Sequence, residues 1–274
     1  MKFTVIGSRG YIGSKLAAFL RKQGHKVFEP MKGEMPDPTL DLGSIVYCAG
    51  LTNDFGKRIF DTVEAHVSYL SRLFVTANFQ SVTYLSSTRL YDSNPHPGSS
   101  EADDLHLNPN NPRHIYDLSK AMGEAIVLGL GERRGRVARL SCVYSADEDA
   151  GGFLPSLVRD VAACIRDSKP TLSVETSPAF ERDYVFVEDV VSALGLLAMG
   201  EHGGIFNVAS GENTANDAIF RMLNNQTGVD IIPALSGGAP HTGAISIERM
   251  QSTFSWSPTS VECGLQQMLR KHAT

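Results

Sequence analysis

Tyr116-Asp117-Leu118-Ser119-Lys120 sets a phenol and an ammonium four positions apart. Near the start of a helix, that spacing stacks the two side chains on one face, one turn from each other. A free tyrosine loses its proton only near pH ~10, and a neighbouring positive charge lowers that value by favouring the phenolate. The pair is equipped to exchange a proton near neutral pH. Upstream, Ser86-Ser87-Thr88-Arg89-Leu90-Tyr91 follows the apolar run Val82-Thr83-Tyr84-Leu85. Hydroxyls at the carboxyl end of a buried parallel strand stand where ligands bind in such sheets, and one of them can hold the oxygen that reacts.

A second group of residues has the spacing of a phosphate-binding turn. Gly7-Ser8-Arg9-Gly10-Tyr11-Ile12-Gly13 lies between the β-rich run Phe3-Thr4-Val5-Ile6 and a stretch, 14–23, in which Leu16, Ala17 and Leu20 mark one helical face. Glycines there allow a tight turn and let the backbone approach a pyrophosphate, while free amides at the helix N-terminus bind its charge. All seven residues are candidate cofactor contacts, together with Ala49, Gly50 and Ser86. Sites that take NAD carry an acidic residue at the end of the second strand for the ribose hydroxyls. In Phe28-Glu29-Pro30-Met31-Lys32, Glu29 falls within the strand, and Met31 and Lys32 occupy its end. Arg9 suits a ribose 2′-phosphate through paired hydrogen bonds, with Lys32 as a weaker point charge. NADP is therefore preferred over NAD, which stays the alternative.

The elements that must hold these groups alternate along the chain. Strands are predicted at Val27-Phe28, at 45–49, at 82–85 and at 136–141, and helices over 59–78 and 115–130. Residues 31–41 hold two prolines and read as a surface loop, as does the Pro- and Asn-rich segment 93–112. This rhythm predicts an α/β fold with a Rossmann-type, doubly wound parallel sheet. Residues 1–143 and 182–208 are assigned to the dinucleotide-binding domain. A less regular remainder, 144–181 and 209–274, is assigned to a small C-terminal substrate-binding lobe that caps the cofactor site.

The bulk properties narrow the class. With 274 residues and 42% hydrophobic composition, the chain has material for a full core. A net charge of -5 without a basic run argues against nucleic acid. Cys48, Cys142, Cys164 and Cys263 form no C-x-x-C pair and fit reduced thiols in the cytoplasm. The glycine loop interrupts any signal-peptide pattern, no stretch is apolar for the length of a bilayer, and no membrane role is expected. His66, His96, His106 and His114 lack metal-ligand spacing, so no metal is expected.

The glycine loop, the strand-end hydroxyls, the Tyr116/Lys120 pair and the run Arg182-Asp183-Tyr184-Val185-Phe186-Val187-Glu188-Asp189 resemble, in that order, the extended short-chain dehydrogenase/reductase family, in its NAD-dependent epimerase/dehydratase group. The likeness continues through Phe206-Asn207-Val208 and Phe254-Ser255-Trp256-Ser257-Pro258, and so spans nearly the whole chain. It implies that Tyr116 transfers a proton and that Lys120 lowers its pKa and bonds the nicotinamide ribose. It further implies that Ser87 orients the substrate oxygen, with Ser86 and Thr88 as secondary candidates, while hydride passes to or from the dinucleotide. Arg182 matches the arginine that binds a sugar-nucleotide diphosphate. By resemblance alone the protein is a homodimer.

Departures from the pattern bear on the reaction. Between the glycine loop and Ala49 the chain is short for the family, lacking the second helix and third strand. Cys142 stands where many relatives have an asparagine that contacts the substrate phosphate, and Ser145 replaces a glycine. Thr88-Arg89 replaces the Asp-Glu pair of sugar dehydratases, and no cysteine stands at Thr88 as in enzymes that epimerise and then reduce. Two reactions remain. One is reduction of a keto group, expected at the 4 position, of a nucleotide-activated deoxysugar, which Arg9 favours. The other is 4-epimerisation of a nucleotide sugar through a transient ketone. A non-catalytic dinucleotide sensor or scaffold stays open as a third class, although such relatives usually lose the Tyr/Lys pair.

Overall fold

Strands buried on both faces of a sheet are rich in apolar residues and must satisfy any polar ones inside, and four strands here are of that kind, Arg136 and Arg139 of β5 being hydrogen-bonded within the fold. The computed structural model describes residues 1–52, 54–95, 99–131, 133–147, 150–237 and 243–272; His96 lies outside them. Strand β1 (Lys2–Ile6), β3 (Ser44–Tyr47), β4 (Ser81–Ser87) and β5 (Gly135–Leu140) are almost wholly buried. With β2 (Lys26–Phe28) and β9 (Gly204–Val208) they form a six-stranded sheet, all parallel, in the order β2-β1-β3-β4-β5-β9. From β1 the chain steps outward to β2 on one side, then returns to build β3 and the rest on the other. The crevice at that reversal, above the carboxyl ends of β1 and β3, is where such sheets take ligands.

Helices cover both faces. Helix α1 (Tyr11–Lys22) buries Leu16, Ala17 and Leu20 in one core with Val190, Leu194 and Leu197 of α6 (Val187–Met199). On the other face, Leu70 and Leu73 of α3 (Tyr69–Thr76) pack with Tyr47, Tyr84 and Val127 of α4 (His114–Leu128). The helix predicted over 59–78 is interrupted. Helix α2 (Ile59–Val63) passes into a π turn at Glu64–Ser68 before α3 begins. The wider turn carries His66 into the interior, where its Nδ1 lies 2.8 Å from the Ser119 hydroxyl of α4. The His66 carbonyl accepts the Tyr84 hydroxyl at 3.3 Å.

Strand β2 stops after three residues, two positions before Pro30, which has no amide to donate. Residues 29–43 then run as turns and loop to β3, leaving β2 at the sheet edge.

The C-terminal third is more regular than the sequence led one to expect. Strands β6 (Cys142–Tyr144), β8 (Glu181–Phe186) and β10 (Asn213–Ala215) form a second sheet, and β7 (Thr171–Val174) pairs with β11 (Asp230–Pro233). Helices α5 (Phe153–Arg166), α7 (Asn216–Thr227) and α9 (Val261–His272) enclose a separate core, with Leu157, Val161, Ile219, Leu223 and Leu265 at helical spacing. Helix α8 (Glu248–Phe254) packs instead on the first core through Met250. Strands of three or four residues carry too few alternations to register as a period. Strand β8 divides its side chains, giving Val185 to the main core and Tyr184 and Phe186 to the second.

Candidate active site

The glycine turn closes as its spacing requires. Gly7 has φ +82° and lies against the β3 end so tightly that a Cβ there would sit 2.7 Å from the Ala49 nitrogen. A Cβ on Gly13 would meet the Gly7 carbonyl oxygen at 2.3 Å. The Gly10 amide donates to Gly7 O at 2.9 Å, and α1 begins at Tyr11 without a side-chain cap. Its first-turn amides are thus available to an anion. Gly13→Ala is expected to cost about 1–3 kcal/mol, because backbone must move to admit the methyl group. It should also remove dinucleotide binding; a melting curve and a cofactor titration on the purified variant measure both.

Around that turn Ser8 is buried, Ile12 is half-buried, and Arg9, Gly10 and Tyr11 face solvent. Extending the β1–β2 register, in which Thr4 pairs with Phe28, puts Glu29 level with Val5 and Met31 level with Gly7. Contrary to the expectation that it falls within the strand, Glu29 follows the last residue of β2, which ends at Phe28, and its carboxylate is ion-paired with Arg21. Met31 stands at the edge with the Arg9 guanidinium against its sulfur, and Lys32 is exposed beside it.

At the inner end of the crevice the hydroxyl, phenol and ammonium converge. Ser87 ends β4, and its Oγ accepts the Arg89 amide at 3.2 Å, starting a short 3-10 turn. The same hydroxyl stands close enough to the phenol of Tyr116 to favour its ionised form. Tyr116 is 3% exposed. Burial raises its pKa, the Ser87 hydroxyl and the Arg89 charge lower it, and Asp117 pushes it up. Lys120 is 4% exposed and donates to the Leu85 carbonyl at 2.7 Å, with its Nζ 4.8 Å from the centre of the Tyr84 ring. Burial brings its pKa down to about 7. A Cβ on Gly50 would come within 3.3 Å of that Nζ, so Ala49 and Gly50 run directly past the ammonium.

The substrate-side candidates gather separately. Ser87, Thr88, Arg89, Cys142 and Arg182 line one cavity of about 160 Å³. Thr88 turns its hydroxyl to the Leu140 carbonyl at 3.3 Å, and Cys142 is exposed. Arg182 neighbours neither of its sequence acids as an ion pair. Its Nη1 lies 3.9 Å from Asp92, which also pairs with Arg113, while Asp183 accepts the Ser210 and Gly211 amides at 2.8 Å each. The arrangement brings Ser87, Tyr116 and Lys120 together and leaves Arg9 and Lys32 at the β2 end of the crevice.

Two contributors escaped the sequence reading. Arg89 lies with its guanidinium carbon 5.0 Å from the Tyr116 ring centre and 5.1 Å from that of Phe55. His66 accepts the Leu51 amide at 3.2 Å on Nε2 and meets the Tyr116 ring edge-on at 5.4 Å. With Nε2 accepting, Nδ1 carries the proton toward Ser119, whose hydroxyl donates to the Tyr116 carbonyl at 2.8 Å. Burial and the Lys120 charge lower the His66 pKa to about 2, so the ring is neutral at physiological pH. The residues fit a nicotinamide dinucleotide on two further grounds. The Ser86 Oγ is buried with no hydrogen-bond partner among the described residues, and the glycine cradle has no room for side chains.

The model of the NAD dependent epimerase/dehydratase family matches residues 31–209. The chain is 24% identical to GDP-6-deoxy-D-mannose reductase of Pseudomonas aeruginosa, over 97% of this chain and 94% of that protein. It is 25% identical to UDP-glucose 4-epimerase of Lactobacillus helveticus, over 94% of this chain and 92% of that protein. Among solved structures, RMD from Pseudomonas aeruginosa complexed with NADPH superposes with a TM-score of 0.74 at 21% identity, covering 99% of both chains. A match over most of the chain, with the fold and the Ser87/Tyr116/Lys120 cluster in place, makes this protein a member of the NAD dependent epimerase/dehydratase family, an NAD(P)-dependent enzyme of oxidoreductase type.

Proposed function

We propose that the protein reduces a keto group, at the 4 position, of a nucleotide-activated deoxysugar, using NADPH. The observation that carries this reading is that Ser87, which acts on the neighbouring Tyr116 phenol, lines the same cavity as Arg182. The bound dinucleotide would supply the hydride. Tyr116 gives its proton to the carbonyl oxygen as that oxygen gains charge, and Ser87 holds the oxygen in line. Lys120 steadies the nicotinamide ribose, and Arg182 takes the diphosphate through paired hydrogen bonds. The lobe formed by 144–181 and 209–274 supplies the sugar-binding side, and the domain of 1–143 and 182–208 supplies the cofactor side. The similarity to GDP-6-deoxy-D-mannose reductase supports the sugar class.

The choice of NADPH rests on the β2 end of the crevice, where Arg9 lies against Met31 and the nearby carboxylates are engaged, Glu29 with Arg21 and Glu34 with the Met31 amide. Hydrogen bonds to a charged group contribute ~1.5–3 kcal/mol, so Arg9→Ala is expected to weaken NADPH about tenfold or more. NADH affinity should change by no more than about twofold. Fluorescence titration of both reduced cofactors reads the difference, and equal losses for the two would exclude Arg9 from the 2′-phosphate.

The second reading, 4-epimerisation, uses the same three residues and is supported by the similarity to UDP-glucose 4-epimerase. Incubation with 4-keto-6-deoxy sugar nucleotides and with UDP-hexoses separates the two. Net consumption of added NADPH indicates reduction, and interconversion of hexoses without net consumption indicates epimerisation. We further propose a homodimer through α2, α3 and α4, which expose Phe60 (90%), Val75 (84%) and Met122 (54%).

A further inference from the structure

A phenol that must release its proton inside a protein faces an electrostatic problem. Burial penalises the phenolate, and each nearby charge adds to or offsets that penalty. The surroundings of Tyr116 can be enumerated. On its own helix stand Asp117, which opposes ionisation, and Lys120 one turn on, whose ammonium is spent on the Leu85 carbonyl and the Tyr84 ring. From the π turn comes His66, neutral and edge-on. From β4 come the Ser87 hydroxyl and Tyr84, a phenol that burial keeps protonated. From the 3-10 turn after β4 comes Arg89, and from the loop before α2 comes the uncharged ring of Phe55. Arg89 itself, then Arg113 and His114 at the start of α4, also act on Asp117 and favour its carboxylate.

We infer that Arg89 is the electrostatic partner of Tyr116: its guanidinium, seated against the phenol ring and backed by Phe55, stabilises the phenolate left when the proton departs. Three features carry this. The guanidinium carbon is 5.0 Å from the phenol ring centre and 5.1 Å from the Phe55 ring centre, and the two ring centres are 5.1 Å apart, so the cation rests against both rings at the third corner of a near-equilateral triangle. Among the described residues it makes no ion pair within 4.0 Å, so its charge is not cancelled at contact. Its backbone is tied to the hydroxyl beside the phenol, since the Arg89 amide donates to Ser87 Oγ at 3.2 Å. An arginine cannot lose its proton in the range where enzymes work, whereas the buried Lys120 can, because its pKa is about 7. Arg89 therefore keeps a positive charge beside the phenol at pH values where Lys120 has lost its own. It acts through Tyr116 and is a positioning residue for charge. This inference rests on the reading of Tyr116 as the proton donor.

The test uses the full chain with ¹³C-labelled tyrosine ring carbons, the Tyr116 resonance being the one absent from Tyr116→Phe. Removing a positive charge raises a phenol's pKa. In Arg89→Met the resonance should begin to titrate at higher pH than in the unaltered protein, by about one pH unit or more, and Arg89→Lys should restore most of the difference. In parallel, the alkaline limb of kcat/KM for NADPH-dependent reduction should move to higher pH in Arg89→Met, since the donor must be protonated to act. An unmoved Tyr116 titration in a folded Arg89→Met protein overturns the inference. So does a loss confined to KM, which would make Arg89 a substrate contact. If the titration shifts while no keto sugar nucleotide consumes NADPH, the pairing of Arg89 with Tyr116 stands and the proposed reaction falls.

Discussion

Tyr116→Phe is expected to lower kcat by about a thousandfold while leaving the dissociation constant of the dinucleotide within about twofold. The ring keeps its contacts with Phe55, Arg89 and the edge of His66, so packing is preserved. Only the hydroxyl is lost, and with it the influence of Ser87 on its proton. General acid–base groups typically supply ~10²–10⁴ in rate, and no described side chain is hydrogen-bonded to Ser87 in a way that could replace the donor. The check is NADPH oxidation with a keto sugar nucleotide, beside a cofactor titration of the same preparation. Turnover within about tenfold of the unaltered protein would mean that the proton comes from elsewhere.

The largest effect on stability is expected at a pair that touches neither ligand. Arg139 of β5 meets Glu124 of α4 through two bonds of 2.9 and 2.7 Å, with side-chain exposures of only 3% and 4%. Its remaining nitrogen donates to the Tyr91 hydroxyl at 2.8 Å, which in turn donates to Asn207 Oδ1 at 2.9 Å. Glu124→Ala strands a guanidinium without water or counter-charge. Breaking one side of such a pair costs ~3–5 kcal/mol, a large share of the ~5–15 kcal/mol that holds a domain folded. Urea unfolding should show it, and the double replacement Glu124→Leu with Arg139→Met should recover most of the loss, because it leaves no buried charge. A single-variant loss below ~1 kcal/mol would mean that water reaches the guanidinium. Glu124 also lies one turn beyond Lys120 and favours its charged form, so the same variant should weaken the ammonium beside the cofactor site.

The parts of this fold that were legible in the sequence share one property: their signal is local and repeated. Val82 to Leu85 reads as a buried strand because every residue of β4 is covered, and the helix of Tyr116 and Lys120 is long enough for its period to emerge. Gly7, Gly10 and Gly13 identify their turn because the backbone leaves no space for a Cβ at the first and last of them. What escaped depends on contacts between distant segments. Arg89 stood in a motif already under consideration, yet only the approach of α4 and Phe55 gives its charge something to act on. His66 sat in an expected helix, and nothing in helical periodicity announces a π turn that swings one ring inward. The small sheets of the C-terminal third were missed because pairs such as β7 with β11 join residues nearly 60 positions apart, through strands too short to show a pattern.

The abrupt end of β2 also bears on how the protein behaves at high concentration. A sheet edge with open amides and carbonyls recruits strands from other molecules, and long flat edges are the ones that seed aggregates. Here the outer rim offers a ladder three residues long, with a lysine side chain in solvent at its start and a proline two positions past its end. A foreign strand would find too few bonds to hold on, so the brevity that leaves this flank of the sheet uncovered also keeps neighbouring copies from fusing along it.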